Sequence, residues 1–190
     1  SWCRVFRMTF GSVAAPESRP RRRIRLSSIA GFAFVHVAAL GVFAVGFSWK
    51  GVALCLASYY LRMFASTAGL PRYFSRRTYR LPRVPQFLLA LLGQAAAQRG
   101  VLWWASNHRH HHKYSDRPED IHSPMQSGFW WSHIGWILSP DYDRTDYSRV
   151  PDLAKYPELV WLDRHPYVAT VLYGIGLALA FGPIGLFYGY

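Results

Sequence analysis

Ile29-Ala30-Gly31-Phe32-Ala33-Phe34-Val35-His36-Val37-Ala38-Ala39-Leu40-Gly41-Val42-Phe43-Ala44-Val45-Gly46-Phe47-Ser48-Trp49 runs without a Lys, Arg, Asp or Glu. A bilayer core asks for about 20 such residues in helical form, because in hydrocarbon a helix satisfies its own backbone polar groups. The stretch reads as a membrane span and the fold as all-α and integral to a membrane. His36 within it is expected to make a satisfied intramembrane hydrogen bond. After a short Trp49-Lys50-Gly51 turn, residues 52–70 are apolar except for Arg62 and a few hydroxyls, so they read as the return span of a helical hairpin. Arg62 is expected to snorkel or to pair within the protein. A third apolar segment, residues 167–190, has no charge, and Gly182-Pro183 is expected to kink or end a helix there.

Composition agrees with this class. The chain has 190 residues, enough for one domain with a core, and its 51% hydrophobic and 17% aromatic content is high for a soluble protein. The net charge of +12 sits at the flanks of the apolar segments and not along a polar face, so no nucleic-acid partner is expected and the lipid bilayer is. Arg19, Arg21, Arg22, Arg23 and Arg25 precede the first span; Arg72, Arg76, Arg77, Arg80 and Arg83 follow the second. Positive charge marks the cytoplasmic side, which puts the histidine-rich segment beyond them there too. Cys3 and Cys55 lie far apart and support neither a disulfide framework nor a cysteine zinc site. The chain starts at Ser1, as expected of a processed protein or a fragment, and residues 1–28 read as a basic, disordered lead-in.

Residues 84–97, rich in Leu and Ala, read as a helix buried in protein or lying at the interface, leading to Trp103 and Trp104 at headgroup depth. Those two tryptophans read as interfacial anchors or as part of an acyl-chain tunnel. Residues 116–124 read as a loop, residues 128–138 as an aromatic amphipathic stretch suited to the membrane surface, and residues 141–158 as polar and turn-rich.

His108-Arg109-His110-His111-His112 packs four of the eight histidines into five residues. On a helix His108, His111 and His112 share one face, and His110 points roughly the other way. Imidazole suits iron, zinc, copper and nickel, so spacing alone does not choose the metal. A hydrolytic zinc site would put Glu where Arg109 stands. Ferritin-like di-iron bundles need two Glu-x-x-His pairs and two further Glu; only Glu119-Asp120-Ile121-His122 matches, among three Glu in all. What remains is an all-histidine iron site at a membrane surface, able to activate O2 beside an acyl chain.

The run from Gly100 through Asp116, with Pro118-Glu119-Asp120-Ile121-His122-Ser123-Pro124 and Gly128-Phe129-Trp130-Trp131-Ser132-His133-Ile134-Gly135-Trp136, resembles the second histidine box of the membrane fatty acid desaturases of the acyl-CoA type. The order of hairpin, arginine-rich segment, short apolar helix, histidine box, amphipathic stretch and further span resembles that family as well. The resemblance implies a di-iron oxidoreductase that uses O2 and an external electron-transfer protein to place a cis double bond in a fatty acyl substrate, acyl-CoA or acyl-lipid. It places His108, His111 and His112 at metal-ligand positions and His110 at a variable one. Asp116, Asp120 and His122 would orient imidazoles from outside the ligand set or hold turns, and Trp104 would contact substrate. The family's first box has two histidines five positions apart where this chain has Pro71 and Arg76. Its third box follows a fourth span for which this sequence ends too early, so residues 29–190 are expected to be an incomplete desaturase domain. Two other readings stay open: an inactive relative that cannot assemble the iron centre, and a membrane metal-binding module.

Overall fold

The computed structural model describes residues 23–190, and every regular element among them is helical. The basic lead-in expected over residues 1–28 lies outside the described residues as far as Arg22, and Cys3 with it.

The first apolar stretch forms α1 (Leu26–Ala39), breaks at Leu40 and Gly41, and resumes as α2 (Val42–Val45). It starts at Leu26, one turn before the expected Ile29, with extended Arg25 as its N-cap. It stops at Val45, short of Trp49, because Gly46 takes a left-handed φ of 71° that ends a helix at little steric cost. No residue of α1 or α2 is buried against protein. With α9 (Val168–Gly189, 22 residues), the 20-residue stretch Leu26–Val45 is one of the two helical stretches among the described residues long and apolar enough to cross a membrane.

The expected Trp49-Lys50-Gly51 turn is instead the first turn of α3 (Trp49–Phe64), because Ser48 caps it: its Oγ accepts the Gly51 N–H at 3.2 Å. Residues 52–70 are helical throughout, but α3 gives way at Ala65 to a wide π-helix that runs to Ser75 and contains Pro71. Proline has no N–H to give and its ring crowds the carbonyl one turn back, so an ordinary α-helix cannot pass through it unchanged. The wider winding carries the chain through, with the Arg76 N–H donating to the Pro71 carbonyl at 3.0 Å.

α9 is broken at Gly182 (φ 62°, ψ −149°), which precedes Pro183, and the chain folds back there, so that Tyr190 lies against Tyr173 with ring centroids 6.3 Å apart. It lies against α2 and α3. Ser58 hydrogen-bonds the Tyr173 hydroxyl at 2.7 Å and donates to the Gly189 carbonyl, and the Tyr188 hydroxyl donates to the Gly46 carbonyl at 2.8 Å. Arg62 takes the second of its two expected fates. Its Nη2 donates to the Tyr190 carbonyl at 2.6 Å, and its guanidinium stands over the Tyr173 and Tyr190 rings. His36 likewise bonds locally, its Nδ1 to the Phe32 carbonyl at 2.8 Å.

The packed core lies where the π-helix meets α4 (Arg83–Gln94), α5 (Val101–Tyr114) and α8 (Pro157–Arg164), with the short helices α6 (Pro124–Ser127) and α7 (Pro151–Ala154) between. Leu70, Phe74, Leu102, Leu153, Leu159 and Leu162 are almost wholly buried there, each contributing about 1.5–3 kcal/mol. Buried Gln94 bridges α4 to the end of α8, donating to the carbonyls of Leu162 at 2.9 Å and His165 at 3.0 Å. α4 is thus buried on one face, with Val84 and Leu88 exposed on the other.

Candidate metal centre

α5 carries the histidines and is fixed at both ends by residues the sequence reading gave no role. At its start, buried Asp163 of α8 supplies the cap that Gly100 lacks: Oδ1 accepts the Trp103 N–H at 2.7 Å. Its other oxygen accepts from the hydroxyls of Thr145 at 2.7 Å and Tyr147 at 3.0 Å. A carboxylate at a helix N-terminus also meets the positive end of the helix dipole. Further along, Arg109 points away from the histidine face. Its guanidinium donates to the carbonyls of Ser75 at 2.9 Å, Phe74 at 3.0 Å and Arg149 at 3.0 Å, and grips Asp152 at 2.6 and 3.1 Å.

His108, His111 and His112 meet on one face, with ring centroids 4.5 Å apart for His108 and His112, 5.5 Å for His111 and His112, and 6.4 Å for His108 and His111. The Nε2 atoms of His108 and His112 are 3.0 Å apart. Two imidazole nitrogens bound in neighbouring positions of an ion, at ~2.1 Å each, would be about 3.0 Å apart in a six-coordinate site and about 3.4 Å in a tetrahedral one, so this pair is near the spacing of neighbouring ligands. His110 turns elsewhere, its Nε2 donating to the Glu119 carbonyl at 2.8 Å.

The hydrogen bonds fix the tautomers. Burial pushes the Asp120 carboxyl up, but its bond to His111 and the backbone N–H groups of Asp116 and His122 outweigh that and hold it below the usual carboxylate range. An ionised carboxylate only accepts, so the His111 Nδ1, 3.0 Å from both Asp120 oxygens, must carry the proton and leave Nε2 as the free donor atom. Arg76 Nη2 lies 3.2 Å from His112 Nε2 and can only donate, so that nitrogen is bare and His108 Nε2 holds the proton between the pair. Burial, then the neighbouring His112 and His111, lowers the His108 pKa to about 4, so it is neutral at pH 7. Asp120→Asn is expected to free the His111 tautomer: nitrogen-15 NMR should show Nδ1–H alone in the parent and a mixture in the variant, and an unchanged spectrum would refute this role.

Asp120, His111 and His122 offer donor atoms within 4.8 Å of one another, a possible His/Asp metal-binding group. The Asp120 oxygens are already taken by His111 and two backbone N–H groups, which favours an orienting role. Asp116 reaches no histidine: its N–H supports Asp120 at 3.0 Å, and its side chain accepts from Ser123 at 2.6 Å. His122 stacks on His111 with centroids 4.3 Å apart, and Trp104 stacks on His108 at 4.3 Å. Trp103 does not face outward as an interfacial anchor would. It is buried in protein, stacked on Trp136 at 5.3 Å, because the Asp163 cap draws its backbone inward. Trp136 in turn stacks on His122 at 4.8 Å, so a file of rings runs from Trp103 to His111.

Trp103 also lines a cavity of about 240 Å³ where Arg25 and Arg99 both pair with Asp143, at 2.6 and 2.8 Å. Arg25, Ser28, Arg99 and Tyr167 are shared with a larger cavity of about 500 Å³, walled by Phe32, Val35, Ile137 and Leu138. Polar groups thus sit at one end and apolar walls at the other.

The three imidazoles share a face, but within it the nitrogens at ligand spacing are those of His108 and His112, while His111 groups with Asp120 and His122. Among the described residues the three do not fit a pair of ions: His110 faces away, Pro71 has no donor, and Arg76 brings a cation to His112.

No family model matches the chain. It is 32% identical over 187 residues to the sn-2 palmitoyl-lipid 9-desaturase of Nostoc sp., covering 95% of this chain and 64% of that one. It is 36% identical over 139 residues to the acyl-CoA C20 Delta5-desaturase of Anemone leveillei (68% of this chain, 44% of the relative). With the sn-1 stearoyl-lipid 9-desaturase of Synechocystis sp. it shares 36% over 135 residues, 70% of this chain and 42% of the relative. The chain therefore spans less than two thirds of the length of these relatives, and the likeness to the Nostoc protein covers 95% of it. The chain belongs to the membrane fatty acid desaturase family.

Proposed function

We propose that the protein is a membrane oxidoreductase that introduces a cis double bond into a fatty acyl chain, acyl-CoA or acyl-lipid, at the expense of O2. The observation that carries this reading is the likeness to a named desaturase over 187 residues, joined to three imidazoles gathered on one face of α5. The chemistry balances when the substrate gives up two hydrogens, an external electron-transfer protein supplies two electrons, solvent supplies two protons, and O2 leaves as two waters.

The residues divide the work. The larger cavity, within the usual size of a small-molecule site, would take part of the acyl chain against Phe32, Val35, Ile137 and Leu138, with the polar head at Arg25 and Arg99. Trp104, stacked on His108, would place the chain beside the cluster and keep water from it. His108, His111 and His112 would hold iron, whose chemistry there is the activation of O2, with Asp120 and His122 holding His111 in orientation. The hairpin of residues 29–49 and 52–70 with residues 167–190 would seat the domain in the bilayer. The arginines around both ends of that hairpin favour the cytoplasmic side for the cluster.

The test is a membrane preparation of the protein supplied with iron, an electron donor and a saturated acyl substrate. A monounsaturated product that requires O2 and disappears in His111→Ala is expected. Absence of product at full iron loading would overturn the reading.

A further inference from the structure

The guanidinium of Arg76 stands against the histidine cluster from outside α5. Arg76 follows directly on the π-helix, where Pro71 widens the winding, and it is exposed. Its neighbours in sequence and space find acids: Arg77 and Arg109 both meet Asp152. Among the described residues no carboxylate pairs with Arg76, and the bond recorded for its side chain is to His112 Nε2 at 3.2 Å. That nitrogen has one lone pair, and His108 Nε2, 3.0 Å away, also aims a proton at it. A cation and a proton thus occupy the nitrogens that have the spacing of neighbouring ligands.

We propose that Arg76 is the resident cation of this cluster: a divalent ion binds His108 and His112 only by displacing the guanidinium from His112 and by moving the His108 proton from Nε2 to Nδ1. This deepens the reading of the cluster as a metal centre and rests on it. Displacement is feasible because the contact is a single exposed bond and the arginine can swing into water. The penalty is a loss of affinity: a hydrogen bond to a charged group corresponds to about tenfold to a hundredfold in an equilibrium constant. Arg76 therefore sets how tightly the cluster takes its ion without adding a ligand.

The experiment is a Co2+ titration of the detergent-solubilised full chain, followed by the visible absorption of the bound ion, with gel filtration to check folding. Arg76→Ala and Arg76→Gln are both expected to bind Co2+ about tenfold more tightly than the parent, whereas Arg76→Lys, which keeps a charged donor, stays near it. The gain must vanish when His112→Ala is added. A change below threefold in both neutral variants, or an equal gain in Arg76→Lys, overturns the proposal. Neither outcome involves O2, an electron donor or an acyl chain, so failure to form product in the assay above leaves this comparison readable.

Discussion

Arg109→Ala is expected to destabilise the protein by about 2–4 kcal/mol, the cost of removing one partner from a part-buried hydrogen-bonded charge pair and stranding the carbonyls it also serves. The arginine makes five bonds at once: two to Asp152 and one each to the carbonyls of Phe74, Ser75 and Arg149. Water replaces part of this, since Asp152 is 38% exposed, but it cannot easily reach the Phe74 carbonyl, whose residue is wholly buried. At a shift of about 2–4 °C per kcal/mol for a chain of this size, the midpoint of thermal unfolding should fall by about 10 °C. Arg109→Lys should recover little, because one ammonium with three donors cannot serve four separate acceptors in a plane. A fall under 3 °C for Arg109→Ala would show that the guanidinium is a passive filler.

The same link makes a statement about pH. Burial raises the Asp152 carboxyl, but the Arg109 hydrogen bonds and charge, helped by Arg77, more than reverse this and hold it below its ordinary value of 3.8. A carboxyl lowered in the folded state gives stability that is present above its unfolded value and lost as pH falls through the folded one. The parent should therefore lose part of its advantage over Arg109→Ala below about pH 4 and keep it in full at neutral pH.

The tie formed by Arg109 joins the histidine helix to the segment where Pro71 and Arg76 lie, and it shows where the sequence is readable and where it is silent. The apolar ends were legible because membrane length and freedom from charge are properties of a continuous run, and residues 26–45 and 168–189 meet them. The in-register face of His108, His111 and His112 was legible because helical spacing alone sets it. Asp163 was not, since its partner Trp103 is distant in sequence and nothing near an aspartate in α8 announces that it caps α5. Arg109 could be read only as the residue that excludes a hydrolytic zinc motif, because its acceptors are backbone carbonyls, which leave no trace in side-chain patterns. Trp103 misled for the opposite reason: an aromatic beside an apolar helix has the composition of an interfacial anchor whether it faces lipid or protein.

Asp163→Ala should cost about 3 kcal/mol, a sum of three terms that arise at one carboxylate. Losing a cap costs about 1 kcal/mol, losing a charge at a partly buried helix N-terminus up to about 2, and leaving the Trp103 N–H unsatisfied about 1–3, with overlap among them. Asp163→Asn keeps an acceptor for the Trp103 N–H and removes only the charge, so about half the loss should return. Gly100 belongs to the same joint: a Cβ there would lie 2.8 Å from both Cα and Cγ of Asp163. The Cα is anchored in α8 and cannot rotate away, so Gly100→Ala must push the two helices apart or unwind the first turn of α5. The pair is therefore coupled, and the double variant Gly100→Ala with Asp163→Ala should cost less than the sum of the two single changes, because the Cγ obstacle is gone while the Cα obstacle stays. Thermal unfolding followed by circular dichroism on the four proteins of this cycle measures the coupling. Strict additivity would mean that Asp163 does not hold the start of α5, and the buried position of Trp103 and the file of rings toward His111 would then need another cause.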